Sequence, residues 1–155
     1  MKISELIGDE LIIDELKAAD KLGVLREFSE LLFEAGRLID KEGLTRVLAA
    51  REALGSTGIG DGVAIPHGKL KGLKGMLLAF GRSKAGVDFD SLDGEKAHLF
   101  FLLIAPEDAP GEHLRALARV SRLMKDASLR DSLMKAAGKK EIRRLLSKDE
   151  EGRQV

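Results

Sequence analysis

The sequence predicts a three-layer α/β domain, a β-sheet with helices on both faces, and three observations carry that prediction. Two apolar runs in the middle of the chain, Met76–Gly81 and Ala97–Ala105, are hydrophobic on both faces, as strands buried within a sheet must be. Segments with helical spacing lie before and after them, so helices are available to cover both faces. The length, 155 residues, fits a single domain able to bury a substantial core.

Each element has its own signal. Leu11–Ile13 is a short β-leaning run. Asp20 then offers an N-cap to a helix whose apolar positions Leu25, Phe28, Leu32 and Ala35 keep helical spacing until Gly36 ends it. Asp40 caps a second helix, with Leu44, Val47, Leu48 and Leu54 as its stripe, closed by Gly55. A glycine-rich stretch follows, "GSTGIGDGVAIPHGKL" (Gly55–Leu70), containing the extended piece "VAIP". The two apolar strands come next, separated by the turn signals of "DSLDG", and are expected at the centre of the sheet. Gly111–Lys125 returns to helical spacing through Leu117, Val120 and Met124, and further helical pieces run through "SLRDSLMKAAG" and "EIRRLL". No repeat and no Pro/Ser-rich linker divides the chain, so residues 1–147 are expected to form one domain and residues 148–155 a polar, frayed tail.

Composition narrows the function. Lys plus Arg equal Asp plus Glu at 26 each, so no strong net field recruits nucleic acid or an anionic membrane, and partners must be recognised locally. The absence of cysteine removes disulfides, thiolate catalysis and cysteine-based metal centres. The acidic N-terminus lacks the order of a signal peptide, and the longest apolar run, "LFFLLIA", is too short to span a bilayer. A cytoplasmic protein without membrane insertion is the expectation.

The stretch Gly55–Leu70 packs five glycines, Ser56, Thr57, Pro66 and His67 into sixteen residues, and three chemistries compete for it. As a phosphate-binding loop it has Gly55 and Gly60 at the right separation, but Asp61 and Gly62 stand where lysine and a hydroxyl residue belong. The dinucleotide fingerprint fails as well, because Gly58, Gly60 and Gly62 space as GxGxG with no strand feeding them directly. As a metal site the chain offers only His67, His98 and His113 with carboxylates, and no short ligand pair. His98 lies among large apolar strand residues and is expected to be a strand-end histidine with one satisfied nitrogen. No metal and no cofactor are therefore expected.

The remaining chemistry is that of His67 itself. Pro66 pushes Ile65 toward extended geometry and Gly68 is expected to let the chain leave sharply, which holds the imidazole at the end of a strand beside small residues. Such an open imidazole suits a nucleophile that meets a phosphoryl donor on another protein. Arg51 follows Leu48 and Val47 at helical spacing, which places it on the stripe of the second helix; taken alone, a snorkelling arginine at a helix end explains it equally well. His113 precedes Leu117, Val120 and Met124 at helical spacing and so faces inward; taken alone, a core histidine bonded to backbone explains it better. Together, an arginine and a second imidazole are the groups that would stabilise a phosphorylated His67.

"LAARE", "LGSTGIGDGVAIPHGKL", "FDSLDG", "HLFFLLIAPED" and "GEHLRALARVSRLM" resemble the IIA domains of the fructose/mannitol class of the bacterial phosphotransferase system over nearly the whole chain. The wording is most similar to the nitrogen-regulatory, PtsN-like branch. The resemblance implies a mixed β-sheet flanked by helices on both sides. It implies a phosphotransferase in which His67 takes a phosphoryl group on Nε2 from an HPr-type or NPr-type carrier, with Arg51 and His113 as the other active-site positions. Combined with the glycines, it makes Ser56, Thr57, Gly58 and Gly60 candidate phosphate-binding residues, although Ser56 and Thr57 serve equally well as turn formers. Three functions compete on these grounds: a nitrogen-regulatory phosphocarrier acting on regulatory target proteins, a fructose/mannitol-type IIA that passes phosphate to a IIB domain for sugar uptake, and a hydrolase using three histidines and a metal.

Overall fold

The computed structural model describes residues 2–153, with side chains through Ser147. The chain runs α1 (Ile3–Leu6), a 3₁₀ turn (Asp9–Leu11), β1 (Ile12–Ile13), α2 (Lys21–Glu34), α3 (Lys41–Ala53), β2 (Gly58–Gly60), β3 (Val63–Ala64), β4 (His67–Leu70), β5 (Leu77–Val87), β6 (Ala97–Pro106), α4 (Pro110–Leu123), α5 (Ala127–Lys135) and α6 (Lys139–Arg153). The backbone of α6 continues through most of the expected tail; the side chains of residues 148–155 lie outside the described part.

The strands form one six-stranded mixed sheet in the order β1-β5-β6-β3-β2, with β4 also on β6. β5 and β6 are antiparallel neighbours at its centre, where the two apolar runs were expected. β1 lies parallel to β5, and β3 and β4 both lie parallel to β6, pairing at Leu99–Phe100 and Leu103–Pro106 respectively. Between them Ile65 and Pro66 interrupt the ladder, and the Pro66 carbonyl still accepts from Leu103 N–H at 3.0 Å.

Local chemistry explains the helices. The Asp20 carboxylate accepts from Gly23 N–H and the Asp40 carboxylate from Gly43 N–H, each at 2.8 Å, so both expected N-caps operate. α2 ends at Gly36, whose φ of +72° lets Gly36 and Arg37 N–H turn back onto the Phe33 and Leu32 carbonyls. In α3 the buried positions are Leu44, Leu48 and Glu52, four residues apart. Leu54, expected on that stripe, is 85% exposed, because the helix has already ended at Ala53.

The two faces of the sheet are read from adjacent residues of β5, since neighbours in a strand point to opposite sides. A Cβ on Gly81 would stand 2.8 Å from Phe28 of α2, whereas Arg82 turns the other way and donates to the Leu133 and Ala136 carbonyls at the end of α5. Arg82 is buried, and its Nε donates to the Asp14 carbonyl, so one guanidinium ties β1, β5 and the end of α5 together.

Gly68 corrects an expectation. It sits inside β4, where the chain does not turn, and its missing side chain is what admits α3: a Cβ there would stand 2.8 Å from Val47 Cγ1. Gly68→Ala should therefore overpack the α3–β4 contact and destabilise the protein by about 1–3 kcal/mol. Urea unfolding of Gly68→Ala, Val47→Ala and the double variant checks this: the double variant should be more stable than the sum of the single losses.

Candidate active site

The glycine-rich segment is a hairpin. β2 and β3 are antiparallel, Gly60 pairs with Val63, and between them Asp61 and Gly62 both have positive φ, +57° and +76°, as a type I′ turn requires. The Asp-Gly pair was its sequence signal. The loop after β5 clasps this hairpin: Ser56 donates its hydroxyl to the Phe89 carbonyl, Leu92 N–H donates to Gly58 O at 3.1 Å, and Asp61 N–H donates to the Asp93 carboxylate at 3.0 Å. Gly58 leaves room for that loop, since a Cβ there would lie 3.0 Å from Ser91 Cα.

The donors of the four residues expected to hold phosphate are largely spent inside the fold. Gly58 N–H goes to Ser56 Oγ at 2.9 Å, and both the N–H and the hydroxyl of buried Thr57 go to the Glu52 carboxylate. Gly60 is occupied in the hairpin. Through these bonds Ser56, Thr57, Gly58 and Gly60 frame the loop that leads to His67.

His67 opens β4, where it was expected to close a strand. Gly68 faces α3, so His67 faces the opposite side, toward α4, and there its ring meets that of His113 with centroids 5.4 Å apart and planes tilted by 57°. Nδ1 of His67 lies 2.7 Å from the Ile65 carbonyl oxygen. A carbonyl only accepts, so Nδ1 carries the proton and Nε2 keeps its lone pair. His113 is buried, 7% exposed, as its spacing with Val120 and Met124 predicted, and its Nε2 is buried with no hydrogen-bond partner. A buried polar atom left unpaired beside a half-buried imidazole calls for a physical reason.

Arg51 stands in the last turn of α3, half-buried, and its Nη1 donates to Gly55 O at 2.8 Å. The guanidinium therefore complements the helix end, as one of its two expected roles required, and its positive field also reaches His67. The buried α3 side chain in this turn is Glu52, which continues the Leu44–Leu48 spacing although its charge gave no sign of burial. Glu52 Oε1 lies 3.4 Å from Lys21 Nζ, which also pairs with Asp90 at 3.1 Å and covers the Phe89 ring.

His98 stays apart. Its Nδ1 lies 2.9 Å from the Ser83 carbonyl, as expected of a satisfied strand histidine. It sits five residues along β6 from Leu103, the partner of His67, a separation of about 17 Å. The three histidines therefore do not converge, and among the described residues no group of three or more His, Asp or Glu side chains could hold a metal ion.

Both site imidazoles are less basic than an ordinary histidine. For His67, burial lowers the proton affinity first; the Ile65 carbonyl raises it, Arg51 lowers it and Glu52 raises it. For His113, burial again leads, followed by the positive fields of His67 and Lys69. The unfolded chain therefore takes up these protons first on acidification, so the associated stability is full above the unfolded value of about 6.5 and falls as the pH drops through it toward the lower folded values. NMR titration should find both imidazoles neutral at pH 7 and titrating below about 6.5, with the melting temperature falling over the same range. Titration of either ring above that value would overturn the burial account.

The fold has known counterparts. The family model described as "Phosphoenolpyruvate-dependent sugar phosphotransferase system, EIIA 2" matches residues 5–149. The chain is 42% identical over 136 residues to the PTS system fructose-specific EIIABC component of Bacillus subtilis, covering 88% of this chain but only 21% of that longer protein. It is 41% identical over 134 residues to a nitrogen regulatory protein of Bradyrhizobium diazoefficiens, covering 86% of each chain. The crystal structure of nitrogen regulatory protein IIA-Ntr from Neisseria meningitidis superposes with a TM-score of 0.87 at 38% identity, covering 93% of this chain and 98% of that one. With the match running through every strand and all but the ends of the chain, this protein belongs to the EIIA type 2 family of the phosphoenolpyruvate-dependent sugar phosphotransferase system.

Proposed function

We propose that this phosphotransferase-system IIA protein is a nitrogen-regulatory phosphocarrier that takes a phosphoryl group on Nε2 of His67 from the phosphohistidine of an HPr-type or NPr-type carrier. The observation that carries this reading is the Nδ1–H bond to Ile65, which presents the Nε2 lone pair in the neutral ring next to the unpaired Nε2 of buried His113. In the transfer, the His67 Nε2 lone pair attacks phosphorus in line, the phosphorus–nitrogen bond to the carrier's histidine breaks, and its electron pair returns to that imidazole. No proton leaves His67: Nδ1–H stays on the Ile65 carbonyl, a bond that strengthens as the phosphorylated ring gains positive character. Arg51 releases Gly55 O to meet the phosphate oxygens with its planar fork, and His113 donates from Nε2 in its matching tautomer. Ser56, Thr57, Gly58 and Gly60 take no charge in this scheme and hold the frame.

The regulatory assignment is supported by the 41% identity to a nitrogen regulatory protein and by the superposition on IIA-Ntr. A second reading, a fructose/mannitol-type IIA that hands phosphate to a IIB domain, is favoured by the 42% identity to the fructose-specific relative. Incubating phosphorylated protein with the organism's IIB domains separates the two: persistence of the phosphate on His67 is expected, and fast discharge to one of them with uptake of its sugar would establish the transport role.

The chemistry has its own tests. Phosphoenolpyruvate, Enzyme I and the carrier should place one phosphoryl group on wild-type protein, located on His67 by mass spectrometry under alkaline conditions, and none on His67→Ala. Arg51→Lys should fold normally and accept phosphate more slowly, because an ammonium keeps the charge but loses the bidentate geometry. A wild-type rate in that variant would reduce Arg51 to a helix cap.

A further inference from the structure

We propose that Glu52 and Thr57 are positioning residues for His67, joined to its imidazole by a continuous hydrogen-bonded relay that selects the reactive tautomer. The relay is traceable atom by atom. The Glu52 carboxylate accepts Thr57 N–H through Oε1, at 3.1 Å, and the Thr57 hydroxyl through Oε2. The Thr57 carbonyl accepts Ile65 N–H at 3.0 Å. The Ile65 carbonyl, in turn, is the acceptor 2.7 Å from His67 Nδ1. Ile65 is thus held through its N–H by the loop and holds His67 through its C=O, so the direction of that carbonyl depends on where Thr57 is pinned.

The chemistry of Glu52 is hard to explain otherwise. It is an ionisable side chain, 8% exposed, at the position where Leu44 and Leu48 continue the apolar face of α3. A carboxylate buried there is tolerated only with full pairing, and it has it: two donors from one residue and Lys21 Nζ at 3.4 Å. A leucine in its place would pack against the same elements but leave Thr57 N–H and its hydroxyl without an acceptor. Lys21 extends the relay to the start of α2 and to Asp90 on the clasping loop, so three elements fix one peptide. Between Ala64, where β3 stops, and the Pro66 carbonyl, which accepts from Leu103 N–H, the ladder is interrupted at Ile65, whose N–H goes to Thr57 instead.

The proposal rests on the phosphocarrier reading for its catalytic consequence, but its structural half is testable in the unphosphorylated protein. Nitrogen-15 NMR of the His67 ring above its titration should find the Nδ1–H form dominant in wild type. In Glu52→Gln and in Thr57→Ala the Nε2–H form should rise. The maximal rate of phosphoryl transfer from the carrier should then fall, by up to about 100-fold, with the KM for the carrier unchanged, since a small misplacement of a reacting group has that scale of effect. Thr57→Ser, which keeps both the N–H and the hydroxyl, should restore tautomer and rate together. An unchanged tautomer ratio in folded Glu52→Gln and Glu52→Leu overturns the proposal, as does a loss of rate confined to KM; if Glu52→Gln fails to fold, Glu52→Leu, which removes the acceptor of the Thr57 N–H and hydroxyl, decides alone. Failure of wild-type protein to accept phosphate would instead sink the phosphocarrier reading, leaving the NMR comparison to decide the relay.

Discussion

The chemistry open to this site depends on the hydrogen bond between His67 Nδ1 and the Ile65 carbonyl. It spans a proline, and the proline makes it possible. Pro66 keeps the Ile65 backbone extended and has no N–H of its own, so the chain between β3 and β4 cannot close a regular ladder, and the Ile65 carbonyl is left for the imidazole two residues on. The bond orients the ring and fixes which nitrogen bears the proton. Burial then keeps the second nitrogen unprotonated, and the Arg51 field adds to the same effect. In the proposed transfer that field would serve two ends: a guanidinium which disfavours imidazolium in the free protein would also favour a phosphate dianion on the same ring.

Sheet geometry turns this local arrangement into a site. Because β4 lies parallel to β6 and neighbouring side chains alternate, Gly68 receives α3 on one face while His67 meets α4 on the other. His113 reaches it because its helix follows β6 after a turn of three residues. Residues 16 and 46 positions away from His67 in the chain thus act on one imidazole, Arg51 through its field from the end of α3 and His113 through ring contact from the start of α4.

The strong local signals in the sequence translated directly into structure. The two all-apolar runs became the central strands, and Asp20, Asp40 and Gly36 cap or stop helices because each acts through contacts within a few residues. His67 and His113 were legible for a related reason, one framed by glycine and proline and one misplaced on an apolar face. What stayed hidden depended on contacts far away in the chain. Gly68 looked like a turn residue and is a packing vacancy for Val47. Arg51 and Glu52 are adjacent, and spacing alone assigned the buried place to Arg51. The partners that let Glu52 occupy it, Thr57 and Lys21, come from a loop and another helix. Arg82 gave no signal either, since its acceptors are the carbonyls of Leu133 and Ala136, some fifty residues on.

The glycines illustrate how one composition serves two opposite designs. A phosphate-binding loop spends its glycines on wrapping backbone amides around a nucleotide, which suits a ligand that stays. Here they go instead into a tight hairpin and the close approach of the loop after β5, and the Gly58 amide is taken up within the frame. For the proposed carrier this distinction is functional. A phosphoryl group that must pass between histidines on two proteins cannot be enclosed by either, so its charge has to be met from one side by a few side chains. The other side must be supplied by the partner. Leu54, three residues after Arg51, and Leu114, next to His113, are 85% and 66% exposed, apolar surface on two segments that border the site. A carrier docking on them would exclude water from the transfer, and the fields of Arg51 and His113 would act at full strength only during the encounter, when the phosphoryl group is in flight.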